Sequence, residues 1–301
     1  HKDLDKPCAS LARFSKRDAD PFRDLYHRYV IELRPLLVSL MYNAPLPLDQ
    51  LQDRLSGPKV QELLGHAKHD LFSVVSEYFD DDRIRTLFTS YMHVITTENV
   101  PGSGMVFPGI FANVTGFTLP IGGAIAYPLA CARIVAAAGG VVRTDTKVRE
   151  ITITGGRATG VVLDDGTTLT ADRFVASSID TPTTVAMAGR ELFDDAVNEK
   201  LDSWHWGNHS LTTLHLAMKQ APVYKARDFD SDIDDAYNVF FGMEDLDEVR
   251  SCFRDCEEGR FPDVLMGNGA CNSAFDPSYA PAGRHSAFWW PFAPYAVDGD
   301  P

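Results

Sequence analysis

Histidines, cysteines and paired glycines are the residues here whose types and spacing could do chemistry. His205 and His209 stand four apart with His215 beyond, a spacing that on a helix would turn two imidazoles to one face, as a metal ion requires. Their segment reads as a strand instead, and no carboxylate or thiol completes a ligand set. No metal is therefore expected, and hydrogen-bonded or pocket-lining histidines are the competing reading. Cys252 and Cys256 are also four apart, on one helical face and without further ligands. His66 and His69 share a helix turn with Lys68 and read as a solvated face. Ser177 falls at a strand-to-loop turn but lacks the G-x-S-x-G surroundings of a strained nucleophile. No catalytic side chain is assigned from these patterns.

The 301 residues are 45% apolar and 23% charged, an ordinary globular composition with enough chain for a sizeable core. A formal charge of −14 argues against a nucleic-acid partner, which demands a basic face. It also disfavours electrostatic docking on anionic membranes while leaving apolar, peripheral contact open. No apolar run approaches the roughly 18 residues of a spanning helix, and the charged start, His1 to Asp5, lacks a signal-peptide core. Five cysteines, an odd and sparse set, point to reduced thiols and a cytoplasmic location, with membrane association left open.

Residues 1 to about 95 read as a helical block. Phe22, Leu25, Tyr26, Tyr29 and Val30 recur at helical spacing after Asp20-Pro21. Further helices are expected at 48–55, continuously over 59–79, and from 83 to about 94. Residues 98–120 look like a loop carrying too many large apolar side chains, among them Phe107, Ile110, Phe111 and Phe117. Packing under the helices explains them, and so does the wall of an apolar channel.

Gly122-Gly123 then opens a helix of small residues that stops at Gly139-Gly140, where glycine relieves left-handed strain. Residues 148–154, 158–163 and 167–170 alternate, with glycine turns between them, and predict an antiparallel meander. Strands at 141–143 and 174–176 are expected to bracket it. Beyond Ala188, strands are expected at 210–218, 239–243 and 264–267, with an acidic helix at 245–258. The ending, with Phe288, Trp289, Trp290 and Phe292, reads as an extended, proline-rich aromatic tail.

Leu119-Pro120-Ile121-Gly122-Gly123, the small-residue helix, Gly139-Gly140-Val141-Val142 and Val148-Arg149-Glu150-Ile151 follow in a telling order. Gly160 to Gly166, Ala171 to Ser177, and the run from Phe275-Asp276-Pro277-Ser278 to Gly283-Arg284-His285 continue it. Together they resemble the phytoene-desaturase-like FAD-dependent oxidoreductases, including the pyridine nucleotide-disulfide oxidoreductase domain-containing protein 2 group. The resemblance implies FAD as cofactor, with the Val148 backbone near the flavin adenine and Ala176 and Ser177 closing the same domain. It implies dehydrogenation or isomerisation of an apolar, isoprenoid- or polyene-like molecule, the flavin taking the hydride while the protein supplies orientation and a dry pocket.

Two departures accompany the resemblance. The family's G-x-G-x-x-G loop, whose amides hold the pyrophosphate, is missing. Gly102-Ser103-Gly104 has Phe107 where the third glycine belongs, and Gly267-Asn268-Gly269 has Asn272. The family's flavin-covering closing segment has no match either. The chain therefore reads as the central, substrate-binding piece of a longer protein, with FAD in the whole protein and weak or no FAD binding by this piece alone.

The expected architecture is α+β: a helical block and apolar loop (1–118), a remnant of an FAD-binding Rossmann-like domain with its meander (119–180), and a substrate-domain sheet with aromatic tail (181–301). Phe107, Phe117, Tyr127, Trp206 and His215 are the candidate substrate contacts, with core packing the alternative for the aromatic residues. A non-catalytic module docking through the aromatic tail and an amine-oxidase-like flavoenzyme are the other readings.

Overall fold

The structure, a computed structural model, describes residues 3–44, 50, 57–91, 98–113, 118–207 and 209–297. Two compact units divide the chain: His1–Ala124 with Gly207–Pro301, and Ile125–Trp206 between them in sequence. Helices and antiparallel strands make up both, so the α+β expectation holds.

The first unit begins with α1 (Asp5–Ala12), α2 (Lys16–Tyr26), α3 (Arg34–Tyr42), α4 (Pro58–His66), α5 (Leu71–Tyr78), α6 (Asp82–Thr89) and α7 (Val106–Asn113). Helix α2 starts ahead of the Asp20-Pro21 expected to open it, because Ser15 accepts the Asp18 N–H at 3.2 Å and supplies an N-cap. Its C-terminus runs into a π-helical turn, His27–Glu32, in which the Leu33 N–H reaches the Arg28 carbonyl. The helix expected over 59–79 is broken in two: Asp70 accepts the Ser73 N–H at 3.0 Å and starts α5 afresh. The expected loop at 98–120 contains α7. Phe107, Ile110 and Phe111 have helical spacing, and Pro108 falls within the first turn, where its missing N–H costs little. The expected helix at 48–55 lies largely outside the described residues, and Phe117 lies wholly outside them.

The second unit holds α8 (Ala126–Ala137), β1 (Val148–Thr154), β2 (Arg157–Leu163), β3 (Thr168–Thr170), α9 (Thr181–Ala188) and α10 (Asp195–Asp202). Helix α8 ends as its glycines foretell. The Gly140 N–H reaches the Val135 carbonyl, the Gly139 N–H the Ala136 carbonyl, and Gly139 has φ +79°. The meander forms in the order β1-β2-β3. The bracketing strands do not: 141–143 and 174–176 have no ladder partner among the described residues, and Val141 and Phe174 are 78% and 74% exposed. An apolar segment becomes a strand only when a neighbour satisfies its backbone, and none does so here.

The first unit resumes with β4 (His209–Leu211), β5 (Leu214–Met218), β6 (Val239–Phe241), α11 (Leu246–Glu257), β7 (Gly267–Ala270), α12 (Asn272–Phe275) and β8 (His285–Pro294). The sheet order is β4-β8-β7-β6, with β5 also paired to β8. The aromatic ending is thus a central strand and not an extended tail. Strand β7 begins where the expected 264–267 strand ends, since Gly267 pairs with both Phe241 and Pro291. A single core joins the helices to the sheet, with Tyr29, Leu63, Val75, Phe79, Phe107 and Phe111 contiguous with Val249, Phe253, Met266 and Phe292. Cys252 and Cys256 share the inner face of α11 in that core.

Candidate functional site

The two sequence stretches richest in family character meet in the first unit. Residues 120–123 form a tight turn in which the Gly123 N–H donates to the Pro120 carbonyl at 3.0 Å. Gly122 and Gly123 hold φ of +80° and +91°, backbone that L side chains rarely adopt. From this turn the Gly122 N–H donates to Asp276 Oδ2 at 3.1 Å, and the Tyr279 hydroxyl donates back to the Pro120 carbonyl at 3.1 Å. Asp276 also accepts the Ser278 N–H, capping the turn Pro277–Tyr279. Hydrogen bonds from Ser278, then Gly122, hold its carboxyl below the usual carboxylate range.

Beside this joint a cavity of about 560 Å³ runs along β5 and the start of β8, lined by His215, Met218, Tyr279, Arg284, His285 and Ser286. The antiparallel register sets Met218 opposite His285 and His215 opposite Phe288. Ser273 Oγ lies 3.2 Å from His285 Nδ1, a spacing that invites a nucleophile-and-base reading. The serine is buried, however, and its hydroxyl accepts the Ser286 N–H at 3.0 Å, so the pair fastens α12 to β8. The cavity offers two imidazoles, a phenol, a guanidinium and an ammonium along otherwise mostly aliphatic walls. Such a surface can hold and orient a molecule, with no acid–base machinery of its own assembled in it.

The remaining candidates are placed differently. Phe107 is fully buried, with Tyr78 stacked on it at 5.2 Å and Tyr29 meeting it edge-on at 6.1 Å. In the second unit Tyr127 and Trp206 are 74% and 57% exposed. Trp206 lies beside Trp204, ring centres 5.8 Å apart. Val148 opens β1 opposite Leu163. Ala176 and Ser177 lie in exposed, unpaired backbone ahead of α9, which packs against β1. The Ser177 hydroxyl lies 2.8 Å from Thr184 Oγ1 and accepts the Ile179 N–H, so contact with a cofactor here falls to the backbone. Asp180 caps α9 by accepting the Thr183 N–H, and that bond holds its carboxyl below the ordinary range.

His66 departs most from expectation. It is 4% exposed, with Nε2 3.0 Å from the Tyr29 hydroxyl, whereas His69 faces solvent. Burial pushes the His66 imidazole below its ordinary pKa and the Tyr78 phenol above its own. The Tyr78 hydroxyl donates to Glu62 at 2.6 Å, and Arg28 pairs with the same carboxylate. Tyr78 and Phe107 both meet the His66 ring edge-on, contacts from residues too distant in sequence to mark it. His209 is also buried, 4.2 Å from the Phe292 ring centre, while His215 stands on the exposed strand β5. Among the described residues no three histidine, cysteine or carboxylate side chains gather as a metal site would need. Nor is any described helix long and apolar enough to cross a membrane.

The fold is shared with a crystallised oxidoreductase from Methanosarcina mazei, at a TM-score of 0.53 and 17% identity over 90% of this chain and 54% of that one. At that identity the likeness is one of fold. In sequence the chain is 26% identical over 296 residues to a limonene dehydrogenase subunit from Castellaniella defragrans, covering 93% of this chain and 53% of that protein. The chain thus spans about half the length of the relative it matches. No family model matches it. The sequence likeness is to a dehydrogenase subunit and the structural likeness is to the fold of an oxidoreductase.

Proposed function

We propose that the chain is the substrate-binding portion, with part of the FAD-binding domain, of a longer flavin-dependent oxidoreductase that dehydrogenates or isomerises an apolar, isoprenoid-like molecule. The observation that carries this reading is the bare apolar surface of the second unit. Helix α8 buries none of its residues, and the apolar segments around Val141 and Phe174 are extended, exposed and unpaired. Those are the segments whose sequence resembles an FAD-binding domain, and exposed apolar side chains in this number are what an interface would cover. The likeness to a limonene dehydrogenase supports a hydrocarbon substrate.

The residues fit FAD in part. Backbone at Val148, Ala176 and Ser177 is available to hold the adenine side, while no glycine loop here cradles a pyrophosphate. When bound, the flavin would accept the hydride. In the first unit Tyr279, which bonds the 120–123 turn, also lines the cavity with His215, and these side chains would orient the substrate. Dehydrogenation balances the hydride with a proton lost from the neighbouring carbon, which solvent reaching the exposed strand β5 can take up.

The aromatic residues on which an assembly module would rely are committed to β8 and its neighbours. The flavin test has two arms. The chain purified alone is expected to be colourless and to bind FAD weakly or not at all; a yellow, stoichiometrically flavinylated chain overturns the incomplete-domain reading. The product of the full reading frame is expected to carry FAD and to lose it on Ala176→Asp. A full-length product without flavin would sink the proposal.

A further inference from the structure

A second cavity in the first unit is separate from the one beside the 120–123 turn. It measures about 510 Å³ and lies among α1, α2, α6, α7 and the 230–240 segment. Leu11, Phe22, Phe88 and Ile110 form its inner wall, and Tyr91 and Phe240 stack on each other in the wall with ring centres 5.3 Å apart. At about 30 Å³ per water its volume equals roughly 17 waters, room for a molecule of one or two fused rings and well within the range of ligand pockets. Charges occur only at the rim and are paired. Lys6 meets Asp232 at 3.2 Å, and Arg13, behind the rim, meets Asp230 at 3.2 Å. An ionic ligand would find no uncompensated partner there and would lose its hydration on entry.

Among the described residues the Tyr91 hydroxyl, like that of Ser10, makes no hydrogen bond. Burial alone raises the Tyr91 phenol above its ordinary pKa, with no hydrogen-bonding or charged group contributing. A half-buried phenol without a partner is a recognition handle, since a ligand oxygen can supply the bond the protein does not.

We propose that this chamber binds an uncharged hydrocarbon of about one to two rings carrying a single carbonyl or hydroxyl oxygen, with the walls taking its apolar body and Tyr91 its oxygen. The site deepens the apolar-substrate reading and rests on it for any reaction of the bound molecule, though not for the binding itself. An oxygenated ligand of this kind is an alcohol or ketone of the same skeleton as a hydrocarbon substrate.

The test is fluorescence titration of the whole chain with two uncharged two-ring probes, 2-propylnaphthalene and the naphthyl ketone prodan. Both are expected to saturate one site. Ala236→Trp and Leu87→Trp, which fill the chamber from half-buried and exposed wall positions, should each weaken both probes at least tenfold. Tyr91→Phe should weaken prodan about threefold to tenfold and leave 2-propylnaphthalene within about twofold, as loss of one neutral hydrogen bond predicts. Unchanged binding in both tryptophan variants overturns the proposal. So does loss of binding in Ile134→Ser, which alters only the exposed surface of the second unit. Prodan indifferent to Tyr91→Phe overturns the assignment of the oxygen. A failed flavin test leaves these outcomes untouched, and failed probe binding leaves the flavin test in force.

Discussion

Helix α5 buries Leu71, Phe72, Val74 and Val75 in a shared core, whereas α8, with 12 residues to its 8 and a comparably apolar composition, buries none. The contrast extends to the units that contain them. In the first, rings stack around Phe107 and Phe88, and the core runs from the helices through Val249 and Phe253 to the sheet at Phe292. In the second, the buried apolar side chains are Ile151, Leu163 and Val185, where the meander meets α9. Its order therefore comes from backbone: hairpin ladders, the glycine C-cap of α8 and the Asp180 and Asp194 N-caps. A unit held this way keeps its shape while leaving its apolar faces free for another surface.

Substitutions chosen in matched places can break or sharpen that contrast. Phe107→Ala should cost about 3–5 kcal/mol, read from urea unfolding, because a fully enclosed ring leaves a cavity its neighbours cannot fill. Gly160→Ala should cost about 1–3 kcal/mol in the second unit, because its Cβ would stand 2.2 Å from the Leu169 carbonyl oxygen. Hydrogen exchange would register that loss in β2 and β3; protection retained there would refute the view that backbone ladders carry this unit.

Acid should act selectively on the first unit. His66 is held neutral by burial, so its folded pKa lies below the unfolded value of about 6.5. The unfolded chain then binds more protons as pH drops, and stability present above about 6.5 declines below it. Exchange at pH 5 against pH 7.5 should show α4 and α5 losing protection, and His66→Gln should flatten that dependence. Asp180→Ala should cost about 1 kcal/mol and fray α9 first, as removal of an N-cap does. Smallest of all, Ile134→Ala on exposed α8 should stay within about 0.5 kcal/mol in the chain alone. A larger loss would mean that α8 is already covered.

How far the sequence could be read follows the same division. Local signals carried well. Glycine turns delimited the meander, Gly139-Gly140 ended α8, and the acidic helix at 246–257 appeared with its apolar edge inward. Signals that depend on distant partners did not carry. Alternation at 141–143 and 174–176 shows that a strand would be stable, not that a neighbour is present. Prolines and tryptophans near the end hid β8, whose partners at Leu214, Gly267 and His209 are far off in sequence. His66 looked solvated because the Tyr29 that accompanies it comes from a helical turn 37 residues away. In the site, His215 could be named from its strand, but its neighbours Tyr279 and His285 required the fold.

Strand β8 also sets an order of events. It pairs with β4, β5 and β7, all of which precede it in the chain. During synthesis the helices of the first unit, built on near-neighbour contacts, can assemble early. Strands β4 and β5 end at Leu211 and Met218 and must wait for their common partner, which begins only at His285. Until then those two strands present unpaired backbone and the side chains of Leu214 and Leu216 to the cell. A nascent chain stalled before His285 is thus the species most exposed to aggregation and to chaperone capture, and release of the last strand is the moment the sheet closes.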